Sequence, residues 1–250
     1  MKPITRRVII LTTCLALLCV IGGRAAFGEG GPGRTKNDVV RLLRGGSVGW
    51  QANIVDCLLD AMPDRMINHL SLQTRGSVTA YLARASSIPL HPRNTRAGFY
   101  VVSSSTGGSF VAITTTTYQG PVVVWDTLMP PSLLFPQIAF ANIDDDSTYE
   151  AICSGQILNS PLMEWAVIDW DSTGGRLLAP RLDQPASHIM ANRLIGREIR
   201  LLDDSSSVYK KLEIIGALPV GIAPEHADTT ALGVRVFRFD PSVGGYLPSE

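Results

Sequence analysis

The chain has no surplus of charge of either sign: 22 Lys and Arg stand against 22 Asp and Glu in 250 residues. Without a basic stripe there is nothing to neutralise nucleic-acid phosphates or to dock on anionic lipid, so no nucleic-acid partner is expected. Charged residues are only 18% of the chain and apolar residues 45%, which excludes a disordered tail and leaves enough apolar side chain for a buried core. Histidine is scarce. His69, His91, His188 and His226 are scattered, and none falls in H-E-x-x-H or a comparable metal spacing. The sequence also lacks a G-x-S-x-G elbow, so a serine nucleophile has no local signature. Asp169 and Asp171 flank Trp170 at the mouth of a D-S-T-G-G turn, where capping the turn accounts for them better than a glycosidase pair does.

No apolar run reaches the roughly 18 to 20 residues that a stable membrane anchor requires. The longest, residues 8–21, is 14 residues long, follows Lys2, Arg6 and Arg7, and precedes the small residues of G-G-R-A-A-F-G. That order is the pattern of a secretory signal over residues 1–28, cleaved between Ala25 and Glu29. The expected location is therefore secreted or periplasmic, with no stable membrane insertion after cleavage. Removing the signal takes away Lys2, Arg6, Arg7 and Arg24 and leaves 18 basic residues against 22 acidic, a charge of −4. Of four cysteines only Cys57 and Cys153 survive cleavage. An oxidising compartment permits one disulfide between them, and their apolar neighbours equally suit two buried thiols.

Residues 29–76 read as a mainly helical N-terminal segment. Trp50, Ile54, Cys57, Leu58 and Ala61 recur at helical spacing until Pro63 interrupts them. This segment is too short for a core of its own and is expected to pack on the β-rich remainder of the chain. From residue 77 to 250 the grammar is that of strands and turns, with Val-, Ile-, Thr- and aromatic-rich runs at 79–85, 98–103, 110–117, 121–126, 137–143, 150–156, 164–170, 176–178, 197–202, 211–217 and 233–239. Three stretches beginning at Phe110, Tyr149 and Lys211 share one plan: a β run, a loop, a second run ending in V-V-V-W-D, V-I-D-W-D or V-F-R-F-D, a turn, then Leu and Pro. The aromatics before those aspartates, Trp125, Trp170 and Phe239, are expected to fill equivalent core positions. The fold class is mainly β: repeated antiparallel units that stack to bury their apolar faces, as a small or incomplete β-propeller or as a sandwich.

Within the second unit, A-N-I-D-D-D-S-T-Y-E-A-I from Ala141, followed by V-I-D-W-D and Leu177-Leu178, resembles a blade of the FG-GAP or VCBS repeat family, the β-propellers typified by integrin α-subunit heads. The resemblance implies four-stranded blades with calcium held in a turn between strands. Counting Asn142 as position 1, oxygen-bearing side chains fall at positions 1, 3, 5 and 9: Asn142, Asp144, Asp146 and Glu150. This is the D-x-D-x-D-x-x-x-[DE] spacing of that family's loops, with the Thr148 carbonyl available to complete the shell. Alternate side chains of a tight loop turn inward, so such a set can converge on a hard cation that takes six to eight oxygens. Positions 4 and 6, usually Gly in those loops, are Asp145 and Ser147 here. The alternative is a solvated turn whose aspartates bond neighbouring N–H groups.

Two function classes are consistent with these features. One is an exported, non-catalytic binding or scaffold module whose loops present a surface to a protein or glycan, with one structural Ca²⁺. The other is a small secreted hydrolase whose site is assembled from residues far apart in sequence.

Overall fold

The computed structural model describes residues 52–63, 80–84, 97–104, 109–129, 133–146, 148–157, 159–171, 174–181, 191–220, 222, 224 and 232–249. The signal segment, most of the helical segment and all four histidines lie outside them. Among the described residues one helix, α1 (Ala52–Ala61), precedes three antiparallel sheets that do not close into a barrel. Sheet A is β1 (Ala80–Arg84), β2 (Ala97–Ser104), β3 (Ser109–Thr117) and β4 (Gly120–Met129). Sheet B is β5 (Leu133–Ala141), β6 (Glu150–Ile157), β7 (Met163–Asp171) and β8 (Gly174–Ala179). Sheet C is β10 (Glu198–Leu202), β11 (Lys211–Ala217), β12 (Gly233–Asp240) and β13 (Gly245–Pro248). Each is a four-stranded meander in chain order. The short β9 (Leu194–Gly196) pairs with the start of β7, where β8 does not reach.

Sheet B is the middle layer, and the period-two pleat explains how. Ala151 and Cys153 of β6, with Ala166, Ile168 and Trp170 of β7, face sheet A and pack on Phe99, Val101, Val111 and Ile113. The intervening Ile152, Trp165 and Val167 face sheet C and meet Leu212, Ile214, Phe237 and Tyr246. Strands buried on both faces need no polar alternation, which is why A-I-C and W-A-V-I read as continuous apolar runs. Edge strand β10 shows the opposite pattern. Glu198, Arg200 and Leu202 are exposed, while Ile199 and Leu201 turn toward the core.

The two outer sheets end the stack differently. In β3 every residue from Ser109 to Thr114 is buried, so this part of sheet A is covered on both faces. The helix α1 lies against β4, with Leu58, Leu59 and Met62 buried. The far face of sheet C stays in solvent and carries ion pairs, Arg200 to Glu198 at 2.7 Å and to Glu213 at 3.9 Å.

The mainly β class and its repeated antiparallel units are present. The expected equivalence of the three aromatics holds for two. Trp170 and Phe239 each end the third strand of their sheet and face the preceding sheet, whereas Trp125 lies on the fourth strand of sheet A and packs into the same core as Trp170. The first sequence unit is one strand out of phase, because β1 and β2 already occupy the first two places in sheet A. Cys57 and Cys153 are free thiols, and burial pushes both above the ordinary thiol value.

Candidate metal centre

The loop of residues 142–149 joins β5 to β6, whose last register pair is Ala141 with Glu150. Its short polar side chains tie it to itself. Asp144 Oδ1 accepts the Asp146 N–H at 3.2 Å, and Asp146 Oδ1 accepts both the Thr148 N–H and, at 2.7 Å, the Thr148 hydroxyl. The Asn142 amide nitrogen donates to the Asp146 carbonyl. Asp145, at the position where the resembled loops carry Gly, has φ 58°. Asp tolerates this left-handed conformation better than most side chains do.

The loop ends on a buried acid. Glu150 is 1% exposed because it opens β6, an inner strand, beside the fully buried Ile143. Its Oε2 accepts the Ile143 N–H at 2.6 Å. Burial pushes the Glu150 carboxyl up to about 7 despite that bond, and the nearby Asp144 charge adds to the rise. Asp144 is also raised, first by burial and further by the Asp146 charge.

One carboxylate oxygen from each of Asp144, Asp146 and Glu150 lies within 4.8 Å of the others, a cluster compact enough to hold a metal ion. At that separation each ionised pair repels by about 1 to 3 kcal/mol, depending on how wet it is. Asn142 Oδ1 is buried with no hydrogen-bond partner, since the amide is oriented by its nitrogen. An unpartnered buried acceptor in the same loop as crowded carboxylates is an arrangement that a cation would relieve. Three of the five ligand residues expected from sequence are thus brought together, and Asn142 is tied to Asp146 through its amide nitrogen. Thr148 adjoins them and is seen bracing Asp146 through its N–H and hydroxyl.

Sheet C clamps this loop. Lys210 Nζ donates to the Asn142 carbonyl and to Asp145 Oδ1, both at 2.9 Å, while its N–H donates to the Ile143 carbonyl at 2.7 Å. The Tyr246 hydroxyl holds the Lys210 carbonyl at 2.7 Å, and the Trp170 indole N–H of sheet B donates to the Tyr149 carbonyl at 2.9 Å. Neither Lys210 nor Trp170 was legible as part of the site, because the contacts are remote in sequence.

Sheet C carries the same loop in another chemistry. Leu202 pairs with Lys211 as Ala141 pairs with Glu150, and each pair encloses eight residues. Registered this way, positions 1, 3, 5 and 9 become Asp203, Ser205, Ser207 and Lys211. The Tyr209 N–H bonds Ser207 Oγ at 3.0 Å just as the Thr148 N–H bonds Asp146. The contact between positions 2 and 9 also recurs, as Asp204 Oδ1 with Lys211 Nζ at 3.3 Å. Asp204 is held below the usual aspartate range by the Ser206 hydroxyl and N–H and by Lys211.

Other sites weighed from sequence have structural occupations. Asp169 pairs with Arg176 at 3.1 Å, and Asp171 closes the β7–β8 hairpin opposite Gly174. A buried two-pronged ion pair, Glu164 with Arg193 at 2.8 and 2.7 Å, fastens β7 to the segment before β9. Comparison of the chain with family models, curated proteins and solved structures returned no match.

Proposed function

We propose that this protein is an exported β module of the FG-GAP/VCBS kind, a non-catalytic binding or scaffold unit in which one Ca²⁺ fixes the β5–β6 loop. The observation that carries this reading is the convergence of Asp144, Asp146 and Glu150, one oxygen of each within 4.8 Å of the others, in a loop that also holds the unpartnered Asn142 Oδ1. All four offer hard oxygen and none offers imidazole or thiolate, which favours calcium over zinc or copper. Three carboxylates and an amide leave a bound divalent ion close to neutral. The sister loop supports the reading from the other side: with lysine in place of Glu150, its cation comes from the chain itself.

The ion's role is structural in this proposal. It joins a loop of sheet B that sheet C already grips through Lys210, and so stiffens the junction between two sheets. Partners, a protein or a glycan, would meet the loop-bearing edges rather than the buried faces. Titration calorimetry and thermal melting of metal-stripped protein test it. Calcium at a hundred times its Kd is expected to raise Tm by about 5–10 °C. D144N/D146N is expected to keep the metal-free Tm and lose the response. Absence of both heat and shift in the wild type would return the loop to a solvated turn.

A further inference from the structure

The β5–β6 loop ends on a row of charge that crosses sheet B. Ala141 pairs with Glu150, Ala151 with Ile168, and Asp169 with Arg176. One step beyond the pair of Ala151 and Ile168, Glu150 stands beside Asp169 on the neighbouring strand. Side chains two apart share a face, so Asp169 lies on the face of Val167 and Glu150 on that of Ile152, both toward sheet C. Directly opposed side chains of an antiparallel pair have Cβ atoms about 4.5–5.5 Å apart, and like charges so placed repel. The influence extends into the loop: burial comes first in raising Glu150 and Asp144, and the Asp169 charge is among those that raise each of them further. At the outer end of the row Arg176 Nη2 lies 3.1 Å from Asp169 Oδ2, and the guanidinium also hydrogen-bonds the Tyr209 side chain.

Sheet C repeats the row with the signs reversed. Leu212 pairs with Phe237 as Ala151 pairs with Ile168, which puts Arg238 in the place of Asp169, beside Lys211 in the place of Glu150. Both cations act on their loop. Lys211 Nζ is 3.3 Å from Asp204 Oδ1, and Arg238 Nε is 3.6 Å from Asp204 Oδ2. The place that Asp169 occupies is therefore one from which a side chain answers charge held in the loop.

We infer that Asp169 is a fourth carboxylate of the cation site, acting on the ion through one of its bound waters, and that Arg176 is a tethered counter-ion that loosens the site's hold on calcium. Calcium takes six to eight oxygens and fills with water what the protein does not supply. A carboxylate in the next shell orients such a water and adds its charge to the site. The inference rests on the calcium reading and deepens it, because Asp169 belongs to neither the loop nor its spacing.

Titration calorimetry of the metal-stripped protein with Ca²⁺ tests it. D169N is expected to weaken binding by about three- to fivefold, and R176Q to tighten it by a similar factor. D169E, which keeps the charge, is expected to bind as wild type does. E198Q makes the same charge change as D169N on the far face of sheet C and is expected to leave the affinity unchanged. A purely structural ion pair is broken by D169N and R176Q alike, so a shift of the same sign in both would overturn the inference, as would equal affinities in D169N and E198Q. Wild-type protein that takes up no calcium would sink the calcium reading and this inference together. Wild type that binds calcium beside a D169N that binds it equally well would sink this inference alone.

Discussion

The β5–β6 and β10–β11 loops have the same length, the same place in their sheets and a shared hydrogen bond from position 7 to position 5, yet opposite electrostatics. In sheet B position 9 is a buried glutamate raised in pKa, with two further carboxylates close by. In sheet C it is Lys211, whose ammonium lies 3.3 Å from Asp204, and Arg238 stands 3.6 Å from the other oxygen of that carboxylate. The backbone of the turn therefore does not require a particular charge. What it requires is that charge gathered there be answered, by a tethered ammonium in one loop and, in our proposal, by a free cation in the other.

Truncation at position 9 should separate the two loops most clearly. E150A leaves the buried Ile143 N–H without an acceptor and is expected to cost about 2–3 kcal/mol, a fall in Tm of about 4–12 °C. E150Q keeps an oxygen for that N–H, so its metal-free Tm should stay near wild type while calcium binding weakens by about tenfold or more. Equal melting of E150A and E150Q would show that the Ile143 contact is not what position 9 provides.

Charge reversal in the sister loop comes next in size. K211E sets a second carboxylate against Asp204 and should lower Tm by less than E150A does, because Arg238 remains as a partner and the loop is wetter. Addition of calcium to K211E should not restore the loss, since positions 3 and 5 are serines. Restoration would mean that position 9 alone decides metal binding.

A smaller effect is expected from K210M. Loss of the bonds to Asn142 and Asp145 should cost about 1 kcal/mol in metal-free protein. Removing a competing positive charge beside the loop should at the same time tighten calcium binding several-fold, and the two shifts of opposite sign are readable in one pair of titrations.

The two loops should also respond oppositely to pH when metal is absent. Glu150 rises from 4.5 to about 7, so between those values the folded state holds a proton that the unfolded state has released, and stability falls as pH increases across the window. Asp204 is lowered from 3.8, so its contribution is present above that value and is lost as pH falls below it. Carboxyl NMR titration resolves both groups. Saturating calcium should move the Glu150 transition to lower pH and leave that of Asp204 in place.

Much of this architecture is readable from local pattern. Among the described residues eleven of the thirteen strands coincide with apolar or alternating runs, and the N-x-D-x-D-x-x-x-E spacing marks the candidate ligands. The two strands that escape are L-I-G, three residues long, and G-Y-L-P, whose Pro248 argues against a strand and is tolerated because β13 is an edge. The phase of the first unit escapes as well. V-V-V-W-D has the same local grammar whether it is third or fourth in its sheet.

Residue order alone determined the pleat, the alternation of strands and turns and which side chains share a face, because a two-residue period and a turn are local properties of the chain. Only the tertiary structure decided that Lys210 of one loop clamps the other, that Asn142 Oδ1 is left without a partner, and that Arg176 and Arg181 line one groove. These depend on how three sheets stack, and stacking is fixed by the fit of whole faces such as Trp170 against Phe99 or Ile152 against Leu212, contacts between segments that no local window of sequence contains.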